Sequence, residues 1–115
     1  MKKLPLAAVL LASGPAAAQA ETIVCVYSEP FINTVFNPRG RTVTITRAVE
    51  NRAESFRVSV RSLGANLELA NRRRAFRQIM VKDSRGSDGM SDTVFPYSAT
   101  MTLNGLHARL HGGCR

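Results

Sequence analysis

The thiols of Cys25 and Cys114 are the most reactive groups in this 115-residue chain, and it has no others. Their spacing offers neither a Cys-x-x-Cys pair for redox chemistry nor a nearby set of histidines for a metal, so a structural bridge is expected. A second cluster of polar groups runs through Asp83, Ser84, Ser87, Asp88, Ser91 and Asp92. Hard oxygens of this kind suit Ca²⁺, but an EF-hand loop ends on a bidentate Glu, and the twelfth position counted from Ser84 is Phe95. Asp and Ser side chains capping local N–H groups, with Gly86 and Gly89 freeing the backbone, account for the same residues. His107 and His111 share strand parity with Arg109, yet four residues of strand span about 13 Å, too far for one metal ion. Arg72, Arg73, Arg74 and Arg77 form the densest basic group, and guanidinium forks match phosphate and carboxylate oxygens. Single-stranded nucleic acid calls for interleaved aromatics, and only Phe76 qualifies, so nucleic acid is not the expected partner. No Ser/His/Asp order, paired carboxylates, Cys-His pair or phosphate loop stands out. The expectation is a protein without catalysis, cofactor or metal.

The segment before these residues explains their redox state. Met1-Lys2-Lys3 is basic, Leu4 to Ala12 is apolar apart from Pro5, and Ala18-Gln19-Ala20 has the small-x-small pattern of a signal peptidase site. The apolar run is shorter than the roughly 20 residues that cross a bilayer. Residues 1–20 are therefore read as a signal peptide, cleaved after Ala20, and 21–115 as one small domain in the periplasm or outside the cell. Thiols pair in such a compartment. Without Lys2 and Lys3 the formal charge falls from +8 to +6, and every remaining basic residue except Lys82 is arginine. Positive charge favours anionic surfaces, and a GC-rich genome raises arginine usage as well.

The elements that must position these groups read as strands between turns. Phe95, Tyr97, Ala99, Met101 and Leu103 alternate with polar residues, the pattern of a half-buried strand. Asn104-Gly105 then suits a two-residue type I′ turn, which sets Leu103, Met101 and Ala99 opposite Leu106, Ala108 and Leu110. Thr22–Tyr27, Phe31–Phe36, Arg41–Arg47 and the alternating Phe56, Val58 and Val60 give further strands. Asn37 to Gly40, Ser62 to Ala65 and Asn71 to Arg74 are turns. Ala48–Ser55 reads as a loop and Asp83–Asp92 as a ten-residue loop; Ala75–Val81 is apolar on both parities. The prediction is all-β: a small antiparallel up-and-down barrel, or a meander, of about seven to eight strands closed by the Cys25–Cys114 disulfide.

Ser87-Asp88-Gly89-Met90-Ser91-Asp92, followed by Phe95-Pro96-Tyr97 and the closing Gly113-Cys114, resembles a family of small, largely uncharacterised bacterial envelope proteins, often lipoproteins. Glu29-Pro30-Phe31 resembles that family's Glu-Pro-Phe. Gly86 stands where the family pattern has a cysteine, which implies that Cys25 has become the partner of Cys114, and Ile32 stands where a Trp often follows. Such proteins sometimes accompany c-type lysozyme inhibitors, whose barrels are also small and disulfide-bonded, though the Ser-Gly-x-Arg-Tyr loop of those inhibitors is absent.

The leading functional expectation is a non-catalytic periplasmic accessory protein that binds an anionic envelope component or a protein partner. An inhibitor of lysozyme-type hydrolases is the alternative, disfavoured because c-type lysozymes are themselves basic. A small hydrolase is the weakest reading.

Overall fold

A computed structural model describes residues 22–28 and 30–115, excepting the side chains of positions 83 and 84. The signal-peptide reading of 1–20 and the Glu29 of the Glu-Pro-Phe step lie outside the described residues. Nine antiparallel strands form one sheet: β1 (Ile23–Tyr27), β2 (Ile32–Asn37), β3 (Thr42–Arg47), β4 (Arg52–Arg57), β5 (Ser59–Leu63), β6 (Asn66–Asn71), β7 (Phe76–Gly86), β8 (Phe95–Thr102) and β9 (Leu110–Cys114). Their order is β4-β3-β2-β1-β9-β8-β7-β6-β5, a meander in which the first strand pairs with the last.

The ends of that sheet are not remote from one another. Only Val58 separates β4 from β5, so 52–63 is one bent stave whose first half pairs with β3 and whose second half pairs with β6. At the bend Val58 is buried and its N–H donates to the Arg41 carbonyl at 2.9 Å; Asn71 Nδ2 donates to the Arg57 carbonyl at 2.7 Å. The fold is thus a nearly closed barrel of eight staves. Stepping between register partners from Arg52 passes through Arg47, Ile32, Tyr27, Gly112, Ala99, Met80 and Leu67, and reaches the starting stave again at Ser62. A ten-residue stagger on eight staves requires strands tilted by roughly 35–45°, around an interior that side chains or one small ligand can fill.

Alternation built these walls as expected. Val43 and Ile45 are fully buried while Thr42, Thr44 and Thr46 are not, and Ile32, Phe36, Leu69, Phe76, Met80 and Met101 complete the interior. Each such side chain stabilises the fold by about 1.5–3 kcal/mol. The ambiguous segment resolves with Phe76, Gln78 and Met80 pointing inward. Gln78 brings an amide into the core, where its Oε1 accepts hydrogen bonds from the Tyr27 and Thr34 hydroxyls, each at 2.8 Å. Burial pushes the Tyr27 hydroxyl's pKa far above its ordinary value, so it stays a donor.

The Cys25–Cys114 disulfide joins register partners on β1 and β9, with 4.0 Å between Cα atoms, and so clamps the seam where the first strand meets the last. Gly112, beside it, faces inward; a Cβ there would stand 2.2 Å from the Val26 carbonyl oxygen.

Four expectations are corrected. Among the described residues the strands number nine rather than the expected seven to eight. Ala48–Ser55 is a tight turn followed by β4, because Asn51 adopts the left-handed conformation (φ 51°) that lets the chain reverse at once. The long loop is shorter: β7 runs through a bulge to Gly86, leaving 87–94 unpaired. The last hairpin keeps its parity but slips by two residues. Met101 faces Leu110 and Ala99 faces Gly112, so 103–109 is a loop in which Ala108 is exposed. Of Asn104 and Gly105 only the glycine has positive φ (93°), so the turn is not type I′. The Asn104 N–H instead donates to the Arg74 carbonyl at 2.8 Å, a distant partner that holds the loop open.

Candidate anion-binding site

Arg72–Arg74 form a single 3-10 turn. Asn71 caps it by accepting the Arg74 N–H, and Ala75 ends it in the left-handed conformation. The bond from Asn104 to Arg74 seats this turn beside the 103–109 loop. The predicted cluster is then sorted by its partners. Arg74 is exposed but engaged: its guanidinium pairs with Glu54 and lies 5.5 Å from the centre of the Phe56 ring, which meets Phe76 edge-on. Arg77 pairs with Glu68, whose other oxygen takes Arg61 at 2.8 Å. The Arg77 hydrogen bond, helped by Arg61, holds the Glu68 carboxyl below its usual range despite its burial. Arg72 and Arg73 are exposed and have no side-chain partner among the described residues.

Beside Arg77 lies a cleft of about 340 Å³ on the outer wall, lined by Arg77, Ile79, Thr100, Met101, Thr102 and Arg109. Thr100 and Thr102 point outward by parity on β8, and Thr102 is the register partner of Arg77. Two arginines and two hydroxyls around a polar recess are donors without an acid among them. Arg77 Nε is already engaged by Glu68, so Arg109 is the freer donor. Sequence reasoning missed Arg109 because the two-residue slip moved it from a paired strand to the loop edge. Alternation in β8 already carried the signal for Thr100 and Thr102. The histidines separate, His107 to the loop and His111 to β9, both exposed.

The motif loop is a capped turn docked on the barrel. Asp88 Oδ1 accepts the Met90 and Ser91 N–H groups, each at 2.9 Å, and Ser87 Oγ accepts the Gly89 N–H at 2.9 Å. The Ser91 and Met90 bonds hold the Asp88 carboxyl below the usual range. Ser28 Oγ donates to the Asp88 carbonyl at 2.7 Å, and Gly89 (φ 81°) lets the loop approach it. Asp92, Met90 and Pro96 are exposed. Phe95 is buried apart from the barrel core, on the outer face of Gly113; a Cβ there would fall 2.4 Å from its ring. Tyr97 is the register partner of Cys114. The separated motif pieces therefore meet on one stretch of wall.

Among the described residues no three His, Cys, Asp or Glu side chains are placed to hold a metal ion, and no helix is long and apolar enough to cross a membrane. The chain matches no family model, no curated protein and no solved structure.

Proposed function

We propose that this protein is a non-catalytic accessory protein of the periplasm or extracellular space that binds a polyanionic envelope component through Arg72, Arg73, Arg77 and Arg109. The observation that carries this reading is the pair of guanidinium groups on the capped turn that have no partner among the described residues, next to a threonine-lined cleft with two more arginines. The turn is rigidified by its Asn71 cap and its bond to Asn104, so little ordering is needed when an anion docks. Arginine forks bind phosphate and carboxylate bidentately, which suits a polymer bearing either. A disulfide at the barrel seam fits an oxidising compartment.

Retention on heparin and on immobilised lipopolysaccharide tests the reading. Joint replacement of Arg72, Arg73 and Arg109 by Ser should lower the eluting salt concentration on both, while Tm stays within a few degrees because none of the three has an ion pair among the described residues. Binding should weaken steeply with salt, since exposed charges are screened over about 8 Å at physiological ionic strength. Unchanged retention would mean that the charge is diffuse and this end is not a site. Inhibition of a lysozyme by the wild type and the variant alike would favour the hydrolase-inhibitor reading instead.

A further inference from the structure

The barrel has a second recess that the basic turn does not touch. It gathers the beginning of β1, the end of β2, the bend of the 52–63 stave, and the beginnings of β6 and β8, which is one mouth of the barrel. The cavity measures about 520 Å³, and its walls are Ile23, Phe36, Val60, Leu67 and Tyr97. Along each of those strands the next residue with the same facing is Cys25, Thr34, Val58, Leu69 or Ala99, and every one of these is buried. The recess is therefore a bowl with a closed floor and not a channel. Its charged lining residues are Arg41 and Arg115, and among the described residues no acidic side chain lines it. Arg41 is exposed at the β2–β3 turn, held with φ 52° while its carbonyl accepts the Val58 N–H. Arg115 also lines the recess, with its guanidinium at the outer edge, 5.5 Å from the centre of the Phe95 ring.

An apolar bowl with a few polar groups at its edge is the usual form of a small-ligand site. The walls select a hydrocarbon, the rim selects negative charge, and the floor limits length. We propose that this mouth binds a single-chain anionic amphiphile, its alkyl chain against Ile23, Val60 and Leu67 and its carboxylate or phosphate head on Arg41, with Arg115 adding attraction at the rim. The proposal is independent of the polyanion reading, which concerns other residues.

The test uses protein purified from the periplasm of an expression host, titrated with hexanoate, octanoate and decanoate below their micelle concentrations. Binding is followed by calorimetry and by amide chemical shifts. Each added methylene should tighten binding about fourfold, the value of burying one methylene, until the chain reaches the floor and the gain stops. Shifts should concentrate on the five wall residues, and alkylamines of equal length should bind at least tenfold more weakly. Alkyl phosphates in place of the alkanoates decide which head group is preferred. Arg41→Gln should weaken alkanoate binding by roughly three- to tenfold with Tm unchanged, and Arg41→Lys should restore part of it. As a second variant, Val60→Asp should abolish binding; its fold is checked by its amide spectrum, and if it fails to fold the Arg41 pair decides. Absent or length-independent binding, equal binding of alkylamines, shifts away from the mouth, or an unaltered Kd in Arg41→Gln would each overturn the proposal.

Discussion

At the scale of single residues, hydrogen bonding separates carboxylates that look alike in the sequence. Asp88 accepts two backbone N–H groups and the Ser91 hydroxyl, whereas no hydrogen bond reaches Asp92 from any described residue. Asp88→Ala should lower Tm at neutral pH by about 4–8 °C, the effect of losing one cap in a domain of this size, and Asp92→Ala should leave it unmoved. The dependence on pH has a definite sign. A carboxyl whose folded pKa lies below its unfolded value stabilises the fold fully above the unfolded pKa, near 3.9 for Asp, and stops doing so as pH falls through the folded pKa. The gap between wild type and Asp88→Ala should therefore close in acid. Thermal melts at descending pH check this, and a gap that widened in acid would contradict the capping geometry. Millimolar Ca²⁺ should leave Tm alone, since Asp88 already spends its oxygens on local donors.

At the scale of elements, three strands are tied through the core by one amide. Gln78 on β7 receives Tyr27 from β1 and Thr34 from β2 at the same oxygen, and its Nε2 is buried without a partner among the described residues. Such a group specifies which strands face each other more than it adds stability, because both N–H donors of its Nε2 go unused among the described residues. Gln78→Met keeps the volume but strands two buried hydroxyls, and should cost about 1–3 kcal/mol. Combining it with Tyr27→Phe and Thr34→Val removes every polar member and should recover most of that loss. Urea unfolding of the single and triple variants gives the comparison. Additive losses across the three sites would mean that the hydroxyls are not coupled through Gln78.

At the scale of the whole molecule, closure is the governing event. The meander sets β1, the first strand, beside β9, the last, and the disulfide spans 89 positions across that seam. On the chain-entropy model a loop of this length contributes about 4–5 kcal/mol, a large part of the 5–15 kcal/mol that small domains possess. Replacing both cysteines by Ser should lower Tm by tens of degrees, and the amides of β1 and β9 should be the first to lose protection from hydrogen exchange. A variant melting with the wild type would show that strand pairing alone holds the seam. The two candidate ligand surfaces occupy different parts of this frame, the basic turn with its outer-wall cleft and the apolar mouth, so variants of one should leave the other's binding intact.

What the sequence determined by itself was what depends on near neighbours. Alternation assigned the shared faces of Val43 with Ile45 and of Ala99 with Met101, though not that of Phe95, which a bulge in the neighbouring strand leaves on the outer face; Pro38 and Gly40 marked a reversal, 71–74 read as a turn, and the two cysteines marked the bridge. Facing has a period of two, so it survived even where the last hairpin slipped by two residues. The tertiary structure decided everything set by distant partners. The Arg74 carbonyl held Asn104 and opened the loop that freed Arg109; Glu54 took Arg74 out of the basic cluster that the sequence suggested, and Glu68 engaged Arg77 while leaving it at the edge of the cleft. Gln78 turned inward because Tyr27 and Thr34 offered donors from strands more than forty positions away. The apolar mouth exists only because a ten-residue stagger brings Ile23, Val60 and Tyr97 to one end of the barrel, and no local pattern encodes a stagger.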